Sequence, residues 1–126
     1  MAEATDHGAV IELISKEDFD KVLERSNIEG KAVIVDFTAV WCGPCRRIGP
    51  LIVELSKKYP NIIFVKVDVD HAAELCEIYK IGAMPTFILL KPGESQVADP
   101  KTQLVVGADT TKLQKMVELA CAVASA

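Results

Sequence analysis

The chain has 126 residues, 50% apolar and 25% charged, with a net charge of −4 and four cysteines. That length supports one domain around one core, and the acidic balance argues against nucleic acid or an anionic membrane surface as the main partner. Four cysteines at these spacings are too few for a disulfide-stapled secreted fold, and no apolar run is long enough to span a bilayer.

Residues 1–9 read as a polar tail carrying Glu3 and Asp6. They show neither an apolar signal core nor an Arg-rich amphipathic pattern, so a reducing, cytoplasmic location is the expectation. Residues 10–126 then read as a single domain. Residues 10–14 form a first strand. Ser15 offers an N-cap with Asp18 at the capping-box position, and Phe19, Val22 and Leu23 follow at helical spacing until Gly30. Residues 32–37 are apolar except at Asp36, the mark of a central strand covered on both faces. Ile48, Leu51, Ile52 and Leu55 place a helix over 42–59, with Pro50 inside it as an expected kink.

Pro60-Asn61 breaks the chain before a third strand at 62–67. Asp68 and Asp70 read as a strand end and a helix cap at Asp70 rather than a metal site. Ala72, Leu75, Cys76 and Tyr79 share one helical face. A strand covers 86–90, Lys91-Pro92-Gly93-Glu94 has the composition of a type II turn, and 103–106 is the return strand. Residues 95–102, with Asp99-Pro100, read as an exposed loop of unassigned use. Asp109 or Thr110 caps a last helix with Leu113, Met116, Val117, Ala120 and Cys121 on one face. The order βαβαβα followed by ββα predicts an α/β fold: a central mixed sheet with right-handed crossovers and helices on both faces.

The chemistry is concentrated in Trp41-Cys42-Gly43-Pro44-Cys45, where a buried strand turns into a helix. A helix start has unpaired N–H groups and the positive end of the macrodipole, which favour a thiolate. Cys42, nearer that start and expected to be the more exposed, is the candidate nucleophile. Cys45 returns to the same face one turn later and can attack a mixed disulfide formed at Cys42. A zinc half-site is the competing reading, but Cys76 and Cys121 are isolated, on core-facing positions that suit buried, inert thiols, so no metal is expected. His7 and His71 have no matching ligands nearby. Pro44 fits a first-turn position that needs no N–H. Arg46 and Arg47 oppose the helix dipole yet favour a nearby thiolate, and a solvated helix face explains Arg47 equally well. Asp36 is costly if ionised inside an apolar strand. Burial should raise its pKa and make it a proton acceptor and donor near neutral pH; the competing, compatible reading is a structural Asp partnered by Lys66 on the next strand.

The segment from Val35 to Cys45 resembles the active-site segment of the thioredoxin family, Met84-Pro85-Thr86-Phe87 resembles that family's cis-proline segment, and Gly107-Ala108 its late glycine. The match runs in order from about Val10 to the C-terminus, and the full Trp-Cys-Gly-Pro-Cys string is highly specific. The resemblance implies the thioredoxin fold and a protein-disulfide reductase with a Cys42/Cys45 redox pair, in which Asp36 moves the proton of Cys45. Gly43, Pro44, Lys66 and Pro85 would support the site. Met84–Pro85 would be cis and face Cys42, although a proline can also simply open a strand. The Met84 backbone would pair with an extended client segment, with Trp41, Gly82, Ala83, Gly107 and Ala108 forming an apolar rim. The resemblance further implies a monomer without a bound cofactor, re-reduced by a thioredoxin reductase that draws on NADPH. Its clients would include peroxiredoxins, ribonucleotide reductase and methionine sulfoxide reductases. The chain has no Gly-x-Gly-x-x-Gly and is expected to bind no nucleotide itself. Two alternatives remain open on the residues alone. One is a disulfide oxidase or isomerase, which the Gly-Pro pair opposes. The other is a non-catalytic binding or scaffolding subunit of the same fold.

Overall fold

Alternation along the central strands divides the protein into two layers of core, because successive strand residues point to opposite faces. In the computed structural model, which describes residues 8–124, the elements follow in the order β1 (Ile11–Leu13), α1 (Lys16–Glu29), β2 (Ala32–Thr38), α2 (Gly43–Lys58), β3 (Ile62–Asp68), α3 (Ala73–Ile78), β4 (Thr86–Leu90), α4 (Pro100–Gln103), β5 (Leu104–Val106) and α5 (Thr110–Val123). The five strands lie in the order β1-β3-β2-β4-β5. β1 and β2 run parallel to β3, while β4 is antiparallel to β2 and β5 antiparallel to β4. This is the expected mixed sheet.

On one face, Ala32 and Ile34 of β2 and Ile62 and Phe64 of β3 pack with Ile48, Ile52 and Leu55 of α2 and Leu113, Met116 and Val117 of α5. On the other, Val33, Val35 and Phe37 pack with Phe19 and Val22 of α1 and Leu75 of α3. Every residue of β2 is buried, as its continuous apolar run demands. The parity of the strand therefore sends Asp36, an even-numbered neighbour of Ile34, to the α2 face.

The local signals act as their chemistry requires. Asp18 N–H donates to Ser15 Oγ at 3.1 Å, and Gly30 ends α1 in the left-handed region at φ 69°, which a Cβ disfavours. Gly93, at φ 85°, sits in the expected turn, closed by Glu94 N–H to Lys91 O at 2.9 Å. α2 continues through Pro50 as one helix. Of the expected tail, residues 1–7, His7 included, lie outside the described residues. Ala9 is fastened to α2, its N–H donating to Ser56 Oγ at 3.0 Å.

Four expectations need correction. The stretch 95–102 is not simply an open loop: Asp99 caps the short α4 through Lys101 N–H at 3.1 Å. Gln103 does not start β5 but closes that helix, fully buried. Its Nε2 donates to Leu89 O at 2.9 Å and Glu94 Oε1 at 2.8 Å, and its Oε1 accepts from Asp99 N–H at 2.8 Å. Asp70 caps no helix: α3 begins after Ala72 with no side-chain cap. Cys76 and Cys121 are half-buried rather than sealed in the core.

Candidate active site

β2 ends at Thr38, and residues 39–42 carry the chain to the start of α2. Cys42 is the N-cap residue of that helix, in extended conformation, with Pro44 in the first turn. Its Sγ accepts the Cys45 backbone N–H at 3.2 Å, so a helix-terminal donor that would otherwise lack a partner points at the sulfur. The Cys42 and Cys45 sulfurs form a disulfide, with Cα atoms 5.3 Å apart. Solvent exposure does not separate the two cysteines as expected: Cys42 is 6% and Cys45 5% exposed. What separates them is direction. Cys42 Sγ lies 3.7 Å from Met84 O at the surface, whereas Cys45 lines the cavity beneath, together with Asp36.

Met84–Pro85 is cis, as expected. Thr86 Oγ1 donates to Ala83 O at 2.6 Å, and Gly107 N–H to Pro85 O at 2.8 Å, which ties the two segments of the expected rim together. Gly107 has φ 100°, a conformation that accounts for glycine there. Gly82, Ala83, Ala108 and Trp41 are exposed; Gly43, Met84 and Gly107 are half-buried. Trp41 is 60% exposed and held from the side, its Nε1 donating to Asp70 Oδ2 at 2.9 Å. Asp70 N–H in turn donates to Asp68 Oδ1 at 2.9 Å. Arg46 reaches back, Nη1 donating to Val40 O at 2.7 Å, and Arg47 lies over Gly43. Both arginines are exposed.

Beneath the dithiol, between α2 and the sheet, is a cavity of about 680 Å³. Asp36 lines it, 6% exposed, and its Oδ1 has no hydrogen-bond partner among the described residues. Burial pushes its carboxyl up to about 7, and the Lys66 ammonium partly offsets that rise. Lys66 stands opposite Asp36 in the β2–β3 register, but the direct pairing of the competing reading is absent. The ion pair of Lys66 is with Glu12 Oε2 at 3.9 Å, across the other strand boundary. Glu12 escaped the sequence reading because it is one acid on an exposed edge strand, and only the β1–β3 register brings it opposite Lys66. Asp70 as the anchor of Trp41 was hidden because its contact spans 29 residues. For Cys76, burial and the nearby Asp68 and Asp70 carboxylates push the thiol up, which disfavours its thiolate. Among the described residues, no group of three or more His, Cys, Asp or Glu side chains is placed to hold a metal ion, and no helix is long and apolar enough to cross a membrane.

Comparison with known proteins gives the same frame. The family model described as Thioredoxin matches residues 10–118. A "Thioredoxin H-type" of Oryza sativa subsp. indica is 43% identical over 114 residues, covering 90% of this chain and 88% of that protein. A "Thioredoxin H-type" of Picea mariana is 42% identical over 118 residues, covering 94% and 90%. Among solved structures, a poplar wild-type thioredoxin h superposes with a TM-score of 0.79 at 37% identity, covering 89% of this chain and 96% of that one. Schistosoma mansoni thioredoxin superposes with a TM-score of 0.76 at 45% identity, covering 91% and 98%. On the family match, the plant relatives and the shared architecture, this chain belongs to the thioredoxin family.

Proposed function

We propose that this chain is a protein-disulfide reductase that passes electrons from NADPH, by way of a thioredoxin reductase, to disulfides in client proteins. The observation that carries the reading is the Cys42–Cys45 disulfide at the start of α2, with the Cys42 sulfur accepting the Cys45 N–H. In the reduced protein, that donor and the positive end of the helix favour a Cys42 thiolate. The thiolate attacks one sulfur of the client disulfide. A Cys42–client disulfide forms, and the other client sulfur leaves as a thiolate that takes up a proton. Asp36 then accepts the Cys45 proton; its orphaned carboxyl oxygen and its titration about neutrality suit that task. Cys45 attacks Cys42 Sγ, the internal disulfide closes, and the second client sulfur leaves. The client gains two electrons and two protons.

The client is held, in this reading, by its backbone alongside Met84 and by the small rim residues Gly82, Ala83, Gly107 and Ala108, with Trp41 at the edge. Gly43, Pro44, Lys66 and Pro85 shape the site. Peroxiredoxins, ribonucleotide reductase and methionine sulfoxide reductases are the clients we propose, for a cytoplasmic monomer. The test is reduction of insulin disulfides with NADPH and a thioredoxin reductase, wild type against Cys42→Ser. Turnover by wild type and none by the variant is the expected result. If folded wild type is silent with the reductase but active with dithiothreitol, the electron donor is wrong; silence with both rejects the reductase reading.

A further inference from the structure

Three residues on adjacent strands form one row: Glu12 on β1, Lys66 on β3 and Asp36 on β2 are register partners in turn. Paired residues of neighbouring strands point to the same face, and all three line the cavity below Cys45. Lys66 therefore stands between two carboxylates and chooses between them. It is paired with Glu12, Nζ to Oε2 at 3.9 Å, while Asp36 Oδ1 is left without a partner. The choice follows from solvation. Glu12 and Lys66 are 61% and 38% exposed in their side chains, so their pair keeps its water. A lysine that turned inward to Asp36, itself 6% exposed, would have to shed its own.

We propose that Glu12 is a positioning residue for the dithiol chemistry: by holding the Lys66 ammonium at the outer side of the row, it keeps that cation from closing onto the Asp36 carboxyl. This inference rests on the reading of Asp36 as the proton acceptor for Cys45 and names what tunes it. The other charged groups facing Asp36 from the same cavity are Asp68 at the end of β3 and Arg46, Glu54 and Lys57 of α2. β4 contributes only Phe87 in register. Of these groups Lys66 is the one whose charge acts on Asp36, favouring its ionised form. Releasing Lys66 from Glu12 therefore acts in one direction: ionised Asp36 becomes easier to form, and a weaker base.

The experiment is a carbon-13 carboxyl NMR titration of Asp36 in the oxidised protein, for wild type, Glu12→Gln, Lys66→Gln and the double variant. An exposed pair of this kind supports a downward shift of the Asp36 midpoint of about 0.5 pH unit in Glu12→Gln. In the Lys66→Gln background the same change should have little effect. Glu12→Lys, which adds repulsion toward Lys66, should shift the midpoint further down. An unchanged or raised midpoint in Glu12→Gln overturns the proposal. So does a full-sized shift that persists without Lys66, because Glu12 would then act on Asp36 directly. The titration reads the row itself, so it stands or falls separately from the insulin assay. A companion readout, the pH dependence of mixed-disulfide resolution, should move with the midpoint.

Discussion

Asp36 is the one charged residue type on a strand that is buried from end to end, and that placement links its chemistry to its stability. As the proton acceptor for Cys45 it should matter for resolution far more than for first attack. Asp36→Asn is therefore expected to slow resolution by roughly 100-fold, at the low end of general-base contributions, while the first attack by Cys42 changes little. Stopped-flow measurement of both steps decides this; equal resolution rates would remove Asp36 from the mechanism. The same residue sets a pH dependence of folding. Its folded value is about 7 against an ordinary 3.8. Between those values the native state holds a proton that the unfolded chain has released. Wild-type stability therefore falls as pH rises through that window and levels off above it, for a total on the order of 4 kcal/mol. Urea unfolding of oxidised wild type and Asp36→Asn should show similar stability at pH 4 and the variant more stable at pH 8. A constant difference across that range would contradict the raised value.

At the scale of elements, the strands and long helices were legible because periodicity, caps and turn residues agree with one another: Ser15, Gly30, Pro44 and Gly93 each sit where their backbone chemistry places them. The misreadings of polar residues share one cause. Gln103, Asp70, Lys66 and Glu12 are polar residues whose partners come from another element, and no local pattern ranks those partners. Gln103 extends an apolar run in the sequence, yet in the fold it joins β4, the 91–94 turn and α4. Gln103→Ala leaves Leu89 O and Asp99 N–H unpaired and opens a small void, which should cost about 2–4 kcal/mol. Chemical denaturation measures the loss, and hydrogen exchange should rise first in residues 94–103. A loss under half a kcal/mol would mean that water replaces the side chain.

For the molecule as a whole, the sheet separates two cores that share β-strands but no helices. Conservative truncations on opposite faces should therefore act independently. Ile52→Val on the α2 face and Ile88→Val on the α1 face should each cost about 0.5–1.5 kcal/mol, and the double variant should equal their sum within about 0.5 kcal/mol. A larger coupling would show that the sheet transmits packing changes through its thickness. This division was visible in the strand 32–37, whose apolar run requires cover on both sides. It also explains why the one acid in that run lies below the dithiol helix and not on the far face.

The tether between Trp41 and Asp70 has a consequence for how the protein can be observed. Trp41 is the only tryptophan in the chain and is the residue next to Cys42. Its indole is fixed by one hydrogen bond at the edge of the site. A disulfide is an efficient electron acceptor from an excited indole, and a dithiol is not. Excited at wavelengths that tyrosine does not absorb, the protein has a single reporter, adjacent in sequence to Cys42, whose emission is expected to be dim when the sulfurs are joined and brighter when they are reduced. No label is needed to follow turnover, and a client that covers Trp41 would announce its arrival in the same signal.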